Sequence, residues 1–155
     1  MSIEARIAKL EAESDIRRLK ARYWNACDAK DVAAIRACFT EDAELDYPPL
    51  GQFGLDGLIE IFTSIAVGTP VVDVHQGHNA EIRVIDGDNA EGVWNLGFST
   101  FNPAVGAYRT IAGIYHDRYV RTADGWRIAY SRHQPRSVVD GQMGAEGMTG
   151  AWSPG

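Results

Sequence analysis

The sequence predicts an α+β fold in a single domain, with the helices first and antiparallel strands after them. Three observations support this prediction. The chain has 155 residues, of which 45% are hydrophobic, and this is enough to bury one core. Apolar residues recur at helical spacing before residue 70, and alternating apolar runs joined by Asp-Gly turns follow. Helices grouped before strands are typical of helices packed on one face of a curved sheet.

The first helical segment carries two apolar stripes. Residues 3–13 place Ile3, Ile7 and Leu10 on one stripe, and residues 16–27 place Ile16, Leu19, Tyr23 and Cys27 on the other. The stripes are rotated away from each other, which predicts a bend or break near Ser14, where Ser14 or Asp15 can cap a new helix. The first segment would then be free to pack on a partner subunit.

Two shorter helices are predicted further along the chain. Asp31 is placed to cap a short helix that ends before the strand AELDY, and the sequence YPPLGQFG then interrupts the chain. The segment DGLIEIFTSI predicts a third helix, which Gly68 and Pro70 end. Its apolar residues at helical spacing are Leu58, Ile61, Phe62 and Ile65.

The rest of the chain predicts long strands. Alternating apolar runs flank the turns DGDNA and TADG, and Asp-Gly between such runs is typical of β-hairpins. We expect the domain to comprise residues 1–137. Residues 138–155 are rich in glycine and have no periodicity, so we expect a mobile C-terminal tail that becomes a lid or arm only on packing.

Composition excludes several classes of function. A net charge of -6 and a pI near 5.1 argue against a nucleic-acid partner. The basic cluster in the first helix follows acidic residues and predicts a solvated helix face; it consists of Arg17, Arg18, Lys20 and Arg22. No apolar run approaches a membrane span and no signal segment opens the chain, so we expect a cytoplasmic protein without a membrane partner.

Motifs for resident metals and cofactors are also missing from the sequence. The chain carries no phosphate-binding glycine loop, no dinucleotide fingerprint and no CxxC pair. Cys27 and Cys38 make no metal-ligand spacing, so we expect them to be small buried hydrophobes. We therefore predict no cofactor and no metal.

Asp28 and His75 are candidates for proton transfer. Asp28 closes a helical stretch, His75 lies in a strand-like run, and a carboxylate that orients an imidazole stabilises the imidazolium that forms. Strict alternation along this strand, however, puts His78 on the apolar face and sends His75 outward. A bulge or bend at Gly77 would reverse that phase. The residues alone leave open whether His75 or His78 is the base.

Four short motifs follow one another in a distinctive order. They are Y-x4-D-x2-D from Tyr23, F-x-E-D-A from Phe39, H-x3-N from His75, and the late block GIYHDRYVRTADGWRIAYSR. Over about residues 10 to 136 they resemble the SnoaL-like family of the nuclear transport factor 2-like superfamily. That family includes polyketide cyclases, scytalone dehydratase and hexachlorocyclohexane dehydrochlorinase. The resemblance implies a cone-shaped fold with N-terminal helices packed on a curved antiparallel sheet.

The resemblance also implies a function. In the dehydratase and dehydrochlorinase members, the catalytic pair is an Asp at the position of Asp28 and a His at the position of His75. It implies a cofactor-independent lyase that acts on a small apolar or polycyclic substrate and assembles as a homodimer or homotrimer. A tyrosine hydroxyl, from Tyr23 or Tyr47, would assist the departure of hydroxide or halide. The residues expected to bind substrate are Tyr23, Trp24, Tyr47, His78, Trp94, Tyr115 and His116.

Two other functions fit the same sequence. One is the enolate chemistry of ketosteroid isomerases and cyclases, with Asp28 as the base. The other is a ligand-binding or assembly module without catalysis. Two further expectations concern the late strands: His133 should lie at the surface or rim, and Asp117 should pair with Arg132 or Arg121.

Overall fold

The computed structural model describes residues 1–68 and 70–154, and its fold is α+β, as the sequence predicts. In this part of the chain there are three helices: α1 (Ile3–Ala29), α2 (Val32–Arg36) and α3 (Leu55–Gly68). The strands are β1 (Phe39–Tyr47), β2 (Gly51–Gly54), β3 (Val72–Val84), β4 (Asn89–Asn102), β5 (Ala107–Thr122), β6 (Gly125–Gly144) and β7 (Gly147–Pro154). None of the helices in the described residues is long and apolar enough to cross a membrane.

The strands form one curved sheet in the order β2-β1-β6-β5-β4-β3, and β7 pairs with β6. β1 and β6 run parallel, and the other neighbours are antiparallel. Helix α1 packs across the inner face of this sheet, against β3 and β6. The hairpins predicted at the two Asp-Gly turns are confirmed, and Asp31 caps α2 by accepting a hydrogen bond from the Ala34 backbone N–H. The core thus lies between α1 and the sheet.

Helix α1 is continuous, so the break predicted near Ser14 is wrong. The Ser14 hydroxyl does not cap a new helix but accepts a hydrogen bond from the Arg18 side chain. The apolar stripe changes its direction along α1 because the first part of the helix is not covered by the sheet. In that part, Ile3 and Leu10 are 68% and 64% exposed. From Ile16 onward the helix packs on the core. The two stripes therefore reflect two surroundings of one helix.

A β-bulge in β3 determines which side chains face α1. The pairing of β3 with β4 shifts between His78 and Glu81, and Asn79 has a left-handed φ of 50°. Before the bulge, His75 and Gly77 face inward; after it, the inward positions begin at Ala80. The sequence left open whether a bulge at Gly77 reverses the phase; the structure has the bulge two residues later.

We expect the substitution Gly77→Ala to destabilise the fold by about 1–3 kcal/mol, the usual cost of overpacking a core. A Cβ at this position would lie 1.9 Å from Cζ3 of Trp24 in α1. Gly87→Ala is the matched control, because a Cβ there meets no atom within 4 Å. Urea denaturation followed by circular dichroism measures both variants. Equal midpoints for the two variants would contradict the close packing of Trp24 on β3.

A second bulge reverses the phase of β6. Arg118 pairs with Tyr130 and Tyr119 pairs with Ile128, so Ala129 is left over between them. Trp126 and Ile128 are buried before this point, and Ser131 and His133 are buried after it. The side chains that reach the inner face therefore change from even to odd positions along the strand.

The C-terminal segment forms a hairpin of β6 and β7, where the sequence pattern indicated no regular element. β6 continues through residue 137 without a break, and β7 pairs with it from Ser137 to Gly144. The glycines that suggested disorder give room for an aromatic ring: a Cβ at Gly141 would lie 2.1 Å from Cζ of Tyr108. Gly155, the last residue of the predicted tail, lies outside the described residues.

Candidate active site

Asp28 and His75 are in direct contact where the end of α1 meets β3. Asp28 Oδ1 lies 2.6 Å from His75 Nδ1, and both carboxylate oxygens accept from the His75 backbone N–H at 3.2 and 3.0 Å. The imidazole also packs on the Phe98 ring, with centroids 4.6 Å apart. The carboxylate therefore fixes the ring position and favours the tautomer with hydrogen on Nδ1, which leaves the Nε2 lone pair as the basic site.

Burial and Asp28 act on His75 in opposite directions. Burial lowers the pKa of His75 below its ordinary value of 6.5, and the hydrogen bond and charge of Asp28 reduce that shift without cancelling it. Folded His75 is therefore neutral at pH 7. A neutral imidazole with a fixed tautomer is the form in which histidine acts as a base.

We expect an NMR titration of the histidine rings to place the pKa of His75 below 6.5. Asp28→Asn should lower this pKa further, because it removes the group that favours the imidazolium. Activity that depends on neutral His75 should accordingly rise with pH through that pKa and stay level at neutral pH. A pKa for His75 above 6.5 in the wild-type protein would contradict the assignment.

An ion pair lies next to this contact. Lys30, which ends α1 in the left-handed conformation, pairs through Nζ with Asp73 of β3 and donates to the Cys27 carbonyl. Both side chains are largely buried, with 15% and 9% exposed. Since Asp73 lies two residues before His75, the pair ties the end of α1 to the strand that carries the imidazole.

His75 lines a cavity of about 490 Å³ between the sheet and α3. The apolar walls come from the sheet and from α3, with Leu96, Phe98, Ile111, Leu58, Ile61 and Phe62. The ion pair of Arg109 and Asp140 lies at the solvent edge, where both side chains are about half exposed. The cavity thus combines apolar walls with a few polar groups, the usual composition of a small-molecule site.

Three buried tyrosines and a second histidine line the inner part of the cavity: Tyr23, Tyr47, Tyr115 and His133. The hydroxyls of Tyr23 and Tyr47 lie 3.3 Å apart, and Tyr47 donates to the Ser131 hydroxyl at 3.0 Å. Burial raises the pKa of both tyrosines, so the hydroxyls stay protonated at neutral pH. Phenol hydroxyls at the end of an apolar cavity can hold a carbonyl or leaving-group oxygen.

The prediction that His133 lies at the surface or rim is wrong, since it is only 7% exposed and lines the cavity. Its ring packs on Tyr115 with centroids 4.8 Å apart, and its Nε2 has no hydrogen-bond partner among the described residues. Burial, together with the charge of Lys20, lowers the pKa of His133 to about 4. Sequence reasoning missed this residue because the bulge in β6 brings it to the inner face.

Lys20 and Asp117 form a buried ion pair behind the cavity, which corrects two expectations. Lys20 was expected on a solvated face and Asp117 beside an arginine, but both side chains are 0% exposed and Lys20 Nζ lies 2.7 Å from Asp117 Oδ2. The Lys20 ammonium also lies 4.0 Å from the Tyr115 ring centroid, which compensates part of its lost hydration.

Four residues predicted to bind substrate lie elsewhere. Trp24 and Trp94 are buried in edge-to-face contact in the core, beside the cavity lining rather than in it. His78 is exposed on the outer face of the sheet, because it lies before the bulge, where His75 and Gly77 are the inward positions. His116 is also exposed on that face, because β5 buries the odd positions around Tyr115. Among residues 1–68 and 70–154, no three His, Cys, Asp or Glu side chains come together as metal ligands.

Comparison of sequences identifies relatives of this chain. The sequence matches the SnoaL-like domain family over residues 8–132. It is 35% identical over 130 residues to the uncharacterized protein Rv2910c of Mycobacterium tuberculosis, which covers 79% of this chain and 84% of that protein. A protein of Mycobacterium bovis matches to the same extent.

Comparison of structures gives the same fold. A candidate scytalone dehydratase from Novosphingobium aromaticivorans superposes with a TM-score of 0.76 at 18% identity, over 88% of this chain and 90% of that one. A hexachlorocyclohexane dehydrochlorinase from Novosphingobium barchaimii gives 0.73 at 16% identity, over 83% and 89%. A nuclear transport factor 2-like protein from Novosphingobium aromaticivorans gives 0.69 at 23% identity, over 84% and 86%. These likenesses show the nuclear transport factor 2-like fold.

Proposed function

Because the chain belongs to the SnoaL-like family, we propose that it is a cofactor-independent lyase in which His75, oriented by Asp28, removes a proton from carbon. The observation that supports this most directly is the 2.6 Å contact between Asp28 Oδ1 and His75 Nδ1 at the wall of a largely apolar cavity. The substrate would be a small apolar or polycyclic molecule, since the cavity measures about 490 Å³.

The reaction balances without a further reactant. His75 Nε2 takes a proton from a carbon next to the one that bears the leaving group. The C–H bonding pair becomes the new double bond, and the bond to the leaving group breaks with its pair going to the departing hydroxide or halide. The imidazolium then gives its proton to hydroxide, forming water, or to solvent when halide departs. The enzyme returns to its starting state in either case.

The surroundings support this step in three ways. The largely apolar walls keep most water away from the His75 imidazole, so its lone pair is less engaged by hydrogen bonds from water. Asp28 stabilises the imidazolium that forms, because its charge and its hydrogen bond both favour the protonated ring. In addition, the Tyr23 hydroxyl lines the cavity and can donate a hydrogen bond to the departing group.

A product screen tests the proposal. The protein is incubated with alicyclic β-hydroxy ketones of the scytalone type and with hexachlorocyclohexane, because two structural relatives carry the names of enzymes for these compounds. Mass spectrometry detects loss of water or of hydrogen chloride. We expect an alkene product with the wild-type protein and none with His75→Ala. Deuterium exchange at carbon without elimination would indicate an isomerase instead, and tight binding without exchange would indicate a binding protein.

Three further properties stay predictions. We expect a homodimer or homotrimer, with the exposed stripe of Ile3, Ile7 and Leu10 on α1 as a contact surface. Size-exclusion chromatography with light scattering measures this. A cytoplasmic location and independence from metals and cofactors likewise remain expectations from the sequence.

A further inference from the structure

Asp117 is the anchor of a buried hydrogen-bond network behind the cavity. It pairs with Lys20 and accepts hydrogen bonds from the hydroxyls of Ser131 and Tyr119, each at 2.7 Å. A carboxylate paired with an ammonium has no hydrogen to donate. Both hydroxyls must therefore point their hydrogens toward Asp117, and the direction of each bond in this network is fixed.

The fixed directions of these hydrogen bonds also determine the direction of the next bond, which reaches the cavity at Tyr47. The only hydrogen of the Ser131 hydroxyl is used on Asp117, so its oxygen accepts from Tyr47 at 3.0 Å. The only hydrogen of the Tyr47 hydroxyl is used in turn on Ser131. Tyr47 can therefore present lone pairs but no hydrogen to the cavity, and in its contact with Tyr23 it must be the acceptor.

Tyr23 is the open end of this chain. Its hydroxyl lies 3.3 Å from that of Tyr47, which is longer than the usual distance of about 2.5–3.0 Å for a bond between hydroxyls. This weak bond is readily exchanged for one to a ligand. When Tyr23 donates to a ligand oxygen, however, Tyr47 loses its donor, and a new hydrogen has to replace the one that Tyr23 withdrew.

From this geometry we infer that the inner end of the cavity binds a hydroxyl group, with Tyr23 donating to its oxygen and Tyr47 accepting its hydrogen. A hydroxyl satisfies both tyrosines at once. A halogen or an ether oxygen only accepts and leaves the Tyr47 oxygen without a partner. This inference rests on the proposed lyase activity and narrows it: the leaving group is hydroxide and the product is water, with the same balance of protons and electrons. Asp117 and Ser131 are positioning residues, because they act through Tyr47.

Binding of three matched probes tests the inference without requiring turnover. The probes are naphthol, its methyl ether and chloronaphthalene, all substituted at the same carbon and titrated by fluorescence. An unpaired buried acceptor weakens binding on the order of 10- to 100-fold. We therefore expect naphthol to bind more tightly than the other two by about that factor. Equal affinities for the three probes, or no binding of naphthol, would overturn the inference even if the protein proves to be a lyase.

The variant Ser131→Ala tests whether the direction of the Tyr47 hydrogen bond, rather than the shape of the cavity, causes the preference for naphthol. This change touches no ligand, but it frees the Tyr47 hydrogen to point into the cavity. In Ser131→Ala, we expect the methyl ether to bind more tightly and the affinity ratio of naphthol to the ether to decrease. Ser131→Thr keeps the hydroxyl and should show the wild-type ratio. Tyr130→Phe is the matched control, because this tyrosine packs under Arg118 and lies outside the cavity lining. An unchanged preference in a folded Ser131→Ala variant would contradict the fixed direction.

Discussion

Replacing His75 with alanine is expected to lower kcat of the elimination reaction by about 10²- to 10⁴-fold, the usual contribution of a positioned base. The variant should fold normally, because it removes the side-chain contacts with Asp28 and Phe98 but no core residue, and the backbone N–H of residue 75 still bonds to Asp28. Steady-state kinetics and circular dichroism measure the two effects separately.

His78→Ala is the matched control for this prediction. His78 lies three residues further along the same strand, but it is exposed on the outer face. We expect its loss to leave kcat unchanged. The comparison also decides the question that alternation left open, since a large loss in His78→Ala with little loss in His75→Ala would reverse the assignment.

Asp28→Asn should lower kcat as well, because the amide keeps the shape of the carboxylate but not the charge that stabilises the imidazolium. The two residues act as a unit, so the double variant should be about as slow as His75→Ala alone. Loss of activity in Asp28→Asn with normal activity in His75→Ala would instead identify Asp28 as the base of an isomerase or cyclase.

Asp117→Asn is expected to cost about 3–5 kcal/mol of unfolding free energy, the typical result of removing one partner from a buried ion pair. Lys20 has no solvent exposure, and Asp117 is the carboxylate that pairs with it. The variant leaves the Lys20 ammonium in the core beside three aromatic rings and without a carboxylate partner. Urea denaturation measures the change.

A second variant separates the lost charge from other effects of the substitution. Lys20→Met combined with Asp117→Asn removes both charges and should recover most of the lost stability. The exposed pair of Arg83 and Glu91 is the control: its side chains are 70% and 45% exposed, and Glu91→Gln should cost only about 0.2–1 kcal/mol. If the double variant were as unstable as Asp117→Asn alone, the unpaired charge of Lys20 would not be the cause of the lost stability.

Local patterns predicted the order of the elements. The two Asp-Gly turns, the Asp31 cap and the helix ending at Gly68 are all signals within a few residues, and the structure has each of them. The contact of Asp28 with His75 joins residues 47 apart in the chain, and only the family resemblance brought them together.

The missed features share one cause, which is that long-range packing overrides a local pattern. Lys20 was grouped with its charged neighbours, although it is in phase with Ile16 and Trp24 at intervals of four residues on the buried face of α1. That phase was the available signal. For His133 there was no such signal, because the bulge at Ala129 is a property of strand pairing and leaves no mark in the alternation.

The bulge at Asn79 in β3 and the register shifts at Ala129 and Arg136 in β6 divide these strands into segments whose inward positions are set independently. In an alignment with a distant relative, a single gap at Asn79 or Ala129 therefore exchanges the inward-facing side chains of the following segment for outward-facing ones. Functional residues must accordingly be matched separately on each side of a bulge. The same feature offers an engineering route, since deleting one bulged residue would present a new set of side chains to the cavity while keeping the strand in the sheet.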